Sequence, residues 1–470
     1  MLIALVLFPA LILGDQWHSH QIADLRDHPS RLIVLGILAL VASIALAFLF
    51  RRWPLLLPLA IVAALPFRVP LHAGGDTANL LVPLYLVIAG GVLATAMRER
   101  HATPAPPAGP TAWVPRILAA VVALYAIQVL YSEDFSKGLQ NVCFFFVPFS
   151  LAYGLLREVT WDRKLLALVV WVIGLEAVAF VVVGSVEWVS RSLFWNDQVI
   201  RSNEFHTYFR VNSMFWDPNV YGRYLALVTV VAMSALLWAR DRRSFGLLTA
   251  LVAVLWLGLF PTYSQSSFMA LLAGLAVLAA LKWSLKWTAA AVGVATVLGV
   301  LVILLAGGTS KLSPSRINVD TSGRANLVSG GIHLFLQRPV YGYGSGSFPK
   351  AYRVHVKTKK APVSVSHTEP ITVAAEQGLI GLAAYVALVV TALWAMASGI
   401  LVSPAATGPA RQTAIARAAV LATFVALLVH TMAYAGFFED PITWVLLAAS
   451  ASLAATAQRR LGPCPDTSVA

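Results

Sequence analysis

Charge is scarce in this chain. Only 12% of its 470 residues are Asp, Glu, Lys or Arg, about half the share usual in a soluble domain. That shortage excludes a set of ordinary soluble domains, although length alone would suggest two or three of them. Acidic residues are rarer still, 21 against 34 basic ones, leaving a formal net charge of +13. Cysteine is nearly absent: Cys143 stands in an apolar run and Cys464 in the tail. Two thiols so placed supply neither a disulfide framework nor a metal site. The opening "MLIALVLFPALILG" lacks the basic region and small-residue cleavage site of a signal peptide, so it reads as a retained, rather short first helix.

What the chain has instead is apolar length. Hydrophobic residues make up 59% of it and its mean hydropathy is +0.77. Apolar runs fall at roughly 1–14, 32–50, 54–67, 79–97, 116–132, 139–156, 165–184, 220–239, 245–261, 266–281, 287–306, 371–397, 412–435 and 441–458. A spanning helix needs about 20 apolar residues. The pattern therefore predicts an all-α fold, a polytopic integral membrane bundle of about 12–14 transmembrane helices. The first and third runs are the short ones.

Basic clusters occupy alternate loops: Arg51-Arg52, "MRERH" at 97–101, "REVTWDRK" at 157–164, "RDRR" at 240–243, "KWSLK" at 282–286, Arg411 with Arg417, and Arg459-Arg460. Positive loops favour the cytoplasmic side, which places both termini there and the intervening loops outside. Two outer loops are long, 185–219 and 307–370. The second carries Lys311, Arg316, Arg324, Arg338, Lys350, Arg353, Lys357, Lys359 and Lys360 against Asp320 and Glu369. A basic surface beside a membrane suits an anionic lipid headgroup or phosphorylated lipid rather than a nucleic acid.

Three stretches carry candidate chemistry. In "YFRVNSMFWDPNVYGRYLALV", 208–228, Arg210 lies in the outer loop, and "WDPN" is a turn signal leading into a helix. Asn219 is a candidate cap there. Arg223 sits one turn inside, where an arginine must snorkel or meet an anion. In "DTSGRANLVSGGIHLFLQRPVYGYGSGSFPKAY", 320–352, the first half reads as a capped amphipathic helix at the membrane surface. The glycines of "YGYGSGS" offer either a phosphate cradle or a tight packing turn. The turn is favoured, because the lysine and preceding strand of a P-loop are missing. Arg324, with paired donors and a permanent charge, is the better phosphate ligand.

The third stretch is "SHTEPITVAAEQGLIG", 366–381. His367 stands at the mouth of a helix that Glu369 and Pro370 begin. Imidazole can take a proton from a hydroxyl near neutral pH. Glu376, about two turns deeper, could orient it or bond across helices. No His/Cys/carboxylate cluster has metal-ligand spacing, so no cofactor or metal is expected.

These stretches, in this order, resemble the O-antigen ligase and polysaccharide polymerase superfamily of bacterial inner-membrane proteins. The histidine signature is His367, ten residues, Gly378, two residues, Gly381. The arginine with its Pro-then-Gly-x-Gly-x-Gly turn, and "RVNSMFWDPN", complete the likeness over about 205–390. Two positions depart from the pattern. Thr368 stands where Asn, Ser or Gln is common, and Gln265 follows Ser264 where Ser-Arg is usual. The resemblance implies a GT-C-like glycosyltransferase taking a glycan from an undecaprenyl-diphosphate-linked oligosaccharide at the outer face. It implies His367 as the base, assisted by Glu369 or Glu376. It implies arginines on the diphosphate, drawn from Arg210, Arg324, Arg223 and Arg338. On this reading 1–204 are N-terminal membrane helices, 205–400 the core with its catalytic loop 307–370, and 401–470 the C-terminal helices and tail.

Polymerase and ligase differ in the acceptor, another carrier-linked glycan or a lipid or wall component. The missing arginine at Gln265 tilts the expectation towards polymerase. An exporter would need ionisable groups along a crossing path, in matching halves of the chain. Apolar interiors here hold few, Glu176, Glu376 and His430 among them. A scaffold protein of envelope assembly would make no single residue essential. Alanine at His367 and Arg324 separates these readings.

Overall fold

A backbone out of water must bond to itself, so long apolar runs close into helices. The computed structural model describes residues 1–17, 26–73, 76–98, 109–194, 196–205, 208–307, 324–356, 365–400 and 408–461. The loop cations Lys311, Arg316, Lys357, Lys359 and Lys360, with Asp320, lie outside those residues.

The first half of the chain holds α1 (Leu2–Gln16), α2 (Pro29–Arg52), α3 (Leu56–Ala64), α4 (Val82–Ala96), α5 (Trp113–Val129), α6 (Phe135–Leu156) and α7 (Arg163–Ser190). Then follow α8 (Asp197–Phe205), α9 (Pro218–Leu237), α10 (Arg242–Leu259), α11 (Gln265–Lys282) and α12 (Leu285–Gly307). The last group is α13 (Arg324–Gln337), α14 (Phe348–His355), α15 (Glu369–Ala397), α16 (Gly408–Thr431) and α17 (Pro441–Leu461). Every apolar run read from the sequence is occupied by one of these helices. The protein is an all-α polytopic membrane protein. Among the described residues, eight helices are long and apolar enough to cross a membrane, and α1, α4, α5, α12 and α17 are shorter apolar helices. The expected 12–14 is thus reached only by counting short elements.

One element was not expected. Strands β1 (Val69–Ala73) and β2 (Asp76–Leu80) pair antiparallel between α3 and α4, Val69 opposite Leu80. The Gly-Gly dipeptide at 74–75 is the hairpin signal that a search for apolar length passes over.

The packing centre is α9 with α11 and α16. Small residues let these backbones approach, as membrane helices require. A Cβ on Gly222 would stand 2.7 Å from Ser267 Oγ, and one on Gly274 2.5 Å from Val230. Helix α15 lies against α5 on one side and α13 on the other. Its run is broken at Gly378, whose φ of 64° interrupts the helix.

The Gly-rich turn after α13 fits into that break. Leu379 N donates to Pro339 O (2.7 Å), Gly344 N to Glu376 O (2.7 Å) and Tyr343 N to Ala375 O (3.2 Å). Gly342, Gly344 and Gly346 all have positive φ. A Cβ on Gly342 would come within 2.4 Å of Glu376 O. These glycines serve a tight packing turn, and the amides of Gly346 and Phe348 go to the Glu376 carboxylate (2.8 and 3.0 Å).

Loops at one end of the bundle are tied together. Val211 N donates to Pro261 O (3.1 Å), Thr368 Oγ1 to Met432 O (3.0 Å) and Glu133 N to Tyr343 O (3.1 Å). The opposite set is tied as well, with Ser452 Oγ on Val159 O and Arg411 Nη2 on Trp238 O (3.3 Å). Alternate loops are thus tied at two ends of the bundle.

Candidate functional site

His367, Arg324 and Arg210 come from three separate loops at the first of these ends, and the Arg324 charge reaches both of the others. The loop 208–217 is drawn onto the α10–α11 corner by Arg210 itself. Its Nε donates to Thr262 O (2.9 Å) and its Nη2 to Asn219 Oδ1 (3.1 Å). Asn203 receives the Arg210 amide on Oδ1 (3.0 Å) and returns Nδ2 to its carbonyl (2.9 Å). All these acceptors are neutral, and among the described residues the guanidinium has no ion pair. Burial first of all holds its pKa below the ordinary value, with Asp217 opposing and the Arg324 charge adding to the fall.

Asp217, not Asn219, caps α9. Its Oδ1 accepts from Asn219 N (2.6 Å) and leaves the Asn219 side chain free for Arg210. An aspartate before a first-turn proline is a strong cap. Its charge also reaches Arg210, His367 and Tyr434.

His367 stands two residues before α15 with φ 62°. For a residue with a Cβ that conformation costs about 1–2 kcal/mol. The neighbours hold it there. Ser366 Oγ donates to Thr368 O (2.7 Å) and accepts Thr368 N (3.2 Å), and it meets Thr372 Oγ1 (2.8 Å). The imidazole is half-buried, its ring 6.0 Å from that of Tyr434. Burial lowers its pKa, the Arg324 charge lowers it further, and Asp217 opposes both. Neutral imidazole is the dominant form at neutral pH. Arg324 opens α13 and makes no side-chain hydrogen bond or ion pair among the described residues.

The other residues singled out from sequence are committed elsewhere. Glu369 begins α15, and its Oε2 accepts from Gly436 N (2.7 Å) and Phe437 N (3.1 Å). Glu376 straps the Gly-rich turn, as described. Arg223 is buried in α9 and pairs with Asp440 at 2.8 Å. Arg338 lies across the Tyr343 ring (4.3 Å) and 3.4 Å from Glu133, which also meets His355 Nε2 at 3.2 Å.

Tyr434 and Arg68 had no motif to announce them. Tyr434 joins the loop between α16 and α17 to the site, its ring also 5.8 Å from His430. Burial and then the nearby Asp217 charge raise its pKa above the ordinary tyrosine value. Arg68, just before β1, is a further cation whose charge Tyr434 feels. Among the described residues no group of three or more His, Cys, Asp or Glu side chains is placed to hold a metal ion.

Among the described residues Arg210 and Arg324 have no carboxylate partner and stand near a neutral imidazole, a combination whose chemistry suits an anionic ligand and a proton-bearing one. Residues 250–386 match the family model described as O-antigen ligase (Wzy_C). Over those residues, less than a third of the chain, the protein is similar to that family. The match runs from the middle of α10 to the middle of α15, and so takes in Arg324 and His367 but not Arg210. A comparison with curated proteins finds no match.

Proposed function

We propose that the protein is a membrane glycosyltransferase that moves a glycan from an undecaprenyl-diphosphate carrier to a hydroxyl of an acceptor glycan, on the outer face of a bacterial inner membrane. The observation that carries this reading is that Arg210, Arg324 and the neutral imidazole of His367 lie at one end of the bundle. Leaving diphosphate gathers negative charge as the glycosidic bond breaks, and fixed guanidinium donors stabilise it most in a site sheltered from water. Neutral His367 takes the proton of the attacking hydroxyl, and displacement inverts the anomeric carbon. Hydrogen bonds among Ser366, Thr368 and Thr372 hold the backbone on either side of His367, which has a positive φ.

Glu369 and Glu376 act here as positioning residues, through the loop 436–437 and the Gly-rich turn. Arg223 and Arg338, already paired with carboxylates, contribute to the fold around the site. The basic loops at the far end orient that end, and both termini, to the cytoplasm.

Gln265, in place of an arginine, favours a polymerase that elongates carrier-linked glycans. The family description favours a ligase with a lipid or wall acceptor. The test uses purified wild type and His367→Ala with a polyprenyl-diphosphate oligosaccharide as donor and acceptor. Carrier release with a ladder of longer lipid-linked glycans, lost in the variant, supports the polymerase. Release only after a lipid or wall acceptor is added supports the ligase. A variant as active as wild type removes His367 from the mechanism.

A further inference from the structure

The break in α15 frees backbone groups that a membrane helix cannot leave to lipid. At helical spacing Leu379 N would bond to Ala375 O, and Ile380 N to Glu376 O. The turn after α13 takes all four groups instead. Leu379 N and Ile380 N donate to Pro339 O (2.7 Å) and Val340 O (3.4 Å), while Ala375 O and Glu376 O accept Tyr343 N and Gly344 N. The turn therefore mends the helix it interrupts.

The break also divides α15 by exposure. From Glu369 to Gly378 no residue is exposed, whereas an apolar stripe of Leu379, Ile380, Val386, Val390 and Trp394 runs on from the break. Residues 379–397 rise about 28 Å, close to the roughly 30 Å of a hydrocarbon core. This part of α15 is long enough to cross by itself, which puts the break near the edge of the core.

The surface beside the break is apolar as well. Helix α13 carries three strips at helical spacing. Gly330, Gly331 and Leu334 are buried against the protein. Asn326, Ser329, His333 and Gln337 are exposed and polar. Ile332 and Leu336 are exposed and apolar, and their strip runs on into Val340 and Tyr341. Leu336 is 67% exposed, Val340 55% and Tyr341 53%. Through the Val340 bond the strip joins the stripe of α15. Through Tyr341 it joins α5, because Tyr131 Oη donates to Tyr341 O (2.8 Å) and the two rings stand 6.1 Å apart. Ile127 and Leu130, just before Tyr131, are exposed too. Two half-exposed tyrosines at the head of apolar stripes match the aromatic belt at a membrane surface. A polar strip beside an apolar one, on a helix whose third side is buried, matches a helix lying in that surface.

We propose that α13 and the turn after it are seated in the bilayer, with Ile332, Leu336, Val340 and Tyr341 against lipid and the strip from Asn326 to Gln337 in water. The turn is then a re-entrant plug that keeps the broken part of α15 hydrogen-bonded at the edge of the hydrocarbon core. Arg324 is the first residue of α13, so the depth of this helix sets the depth of that guanidinium. The lipid contact stands whether or not the protein transfers glycans.

The test is spin-label accessibility on the full chain in nanodiscs. Single cysteines replace Ile332, Leu336 and Val340, and His333 and Gln337 as water-facing references, in a background with Cys143→Ala and Cys464→Ser. Thermal melting checks the fold of each variant. Oxygen partitions into lipid and a nickel chelate into water, so the ratio of their collision rates should be about threefold or more higher at 332, 336 and 340 than at 333 and 337. Wild type gives a second readout without any variant. In hydroxyl-radical footprinting, Leu336 and Tyr341 should be protected about fivefold or more relative to the denatured chain, and His333 much less. Equal ratios at all five positions, or Leu336 and Tyr341 labelled as freely as His333, overturn the proposal. Labels at 336 and 340 closed to both oxygen and nickel would mean cover by protein, from this chain or a second copy, and overturn it as well.

Discussion

Two arginine–histidine neighbourhoods flank Tyr434, and they are built in opposite ways. On one side Arg223 is paired with Asp440 at 2.8 Å, and His430, fully buried, meets Ser266 Oγ at 3.2 Å. On the other side, among the described residues, Arg210 holds only neutral acceptors and Arg324 holds none, and His367 is half-buried on a left-handed backbone. Charge that the protein neutralises for itself contributes to its fold. Under the proposed function, charge left without a described counter-ion, in a place partly shielded from water, is held for a ligand. The residue types are the same in both neighbourhoods, so only their partners separate the two roles.

The sharpest way to break this comparison is His367→Ala. Loss of a positioned base is expected to lower glycan transfer about 10²–10⁴-fold, with the melting temperature close to that of wild type. A large fall in melting temperature would assign His367 to the fold instead. Arg223→Ala is the mirror image. Leaving Asp440 buried without its partner should cost about 3–5 kcal/mol of stability, seen as a large drop in melting temperature before any kinetic effect is measured. If Arg223→Ala instead melts normally and loses transfer, the two neighbourhoods exchange roles.

Smaller effects sharpen the contrast. Arg210→Ala and Arg324→Ala each remove a charge-assisted donor worth about 1.5–3 kcal/mol. Carrier-diphosphate affinity, followed by isothermal titration in detergent, should fall about 10–100-fold in each. The least expected effect is electrostatic. Because burial and Arg324 depress the His367 pKa, its protonation midpoint should lie below about 6.5, the ordinary value. The acid limb of the transfer rate should follow that midpoint, with activity rising as the proton is lost. In Arg324→Gln the midpoint moves up, as NMR of labelled histidine would detect. A downward or absent shift would separate Arg324 from His367.

Much of this molecule was legible from its residues, and the manner of reading explains what was not. Helices were legible because a run such as 165–184 must satisfy its backbone internally whatever surrounds it. The hairpin at 69–80 was passed over, since its signal is a two-residue turn inside a stretch too short to span. His367, Arg324 and Arg210 were singled out by residue type at a helix mouth or in an outer loop. Arg223, Arg338 and Glu376 carried the same signal. Their partners, Asp440, Glu133 and the amides of Gly346 and Phe348, lie far away in the chain. No local pattern links them. Tyr434 carried no motif at all.

Composition and apolar length determined by themselves that this is a many-helix membrane protein, because the physics of a backbone in lipid is local and admits almost no alternative. Loop charge likewise divided the loops into two sets. The tertiary structure alone decided which charged side chains stay unpaired and that Gly378 opens α15 to the Gly-rich turn. Those outcomes depend on which distant groups arrive within hydrogen-bond reach, and that is a property of the packed chain rather than of any segment in it.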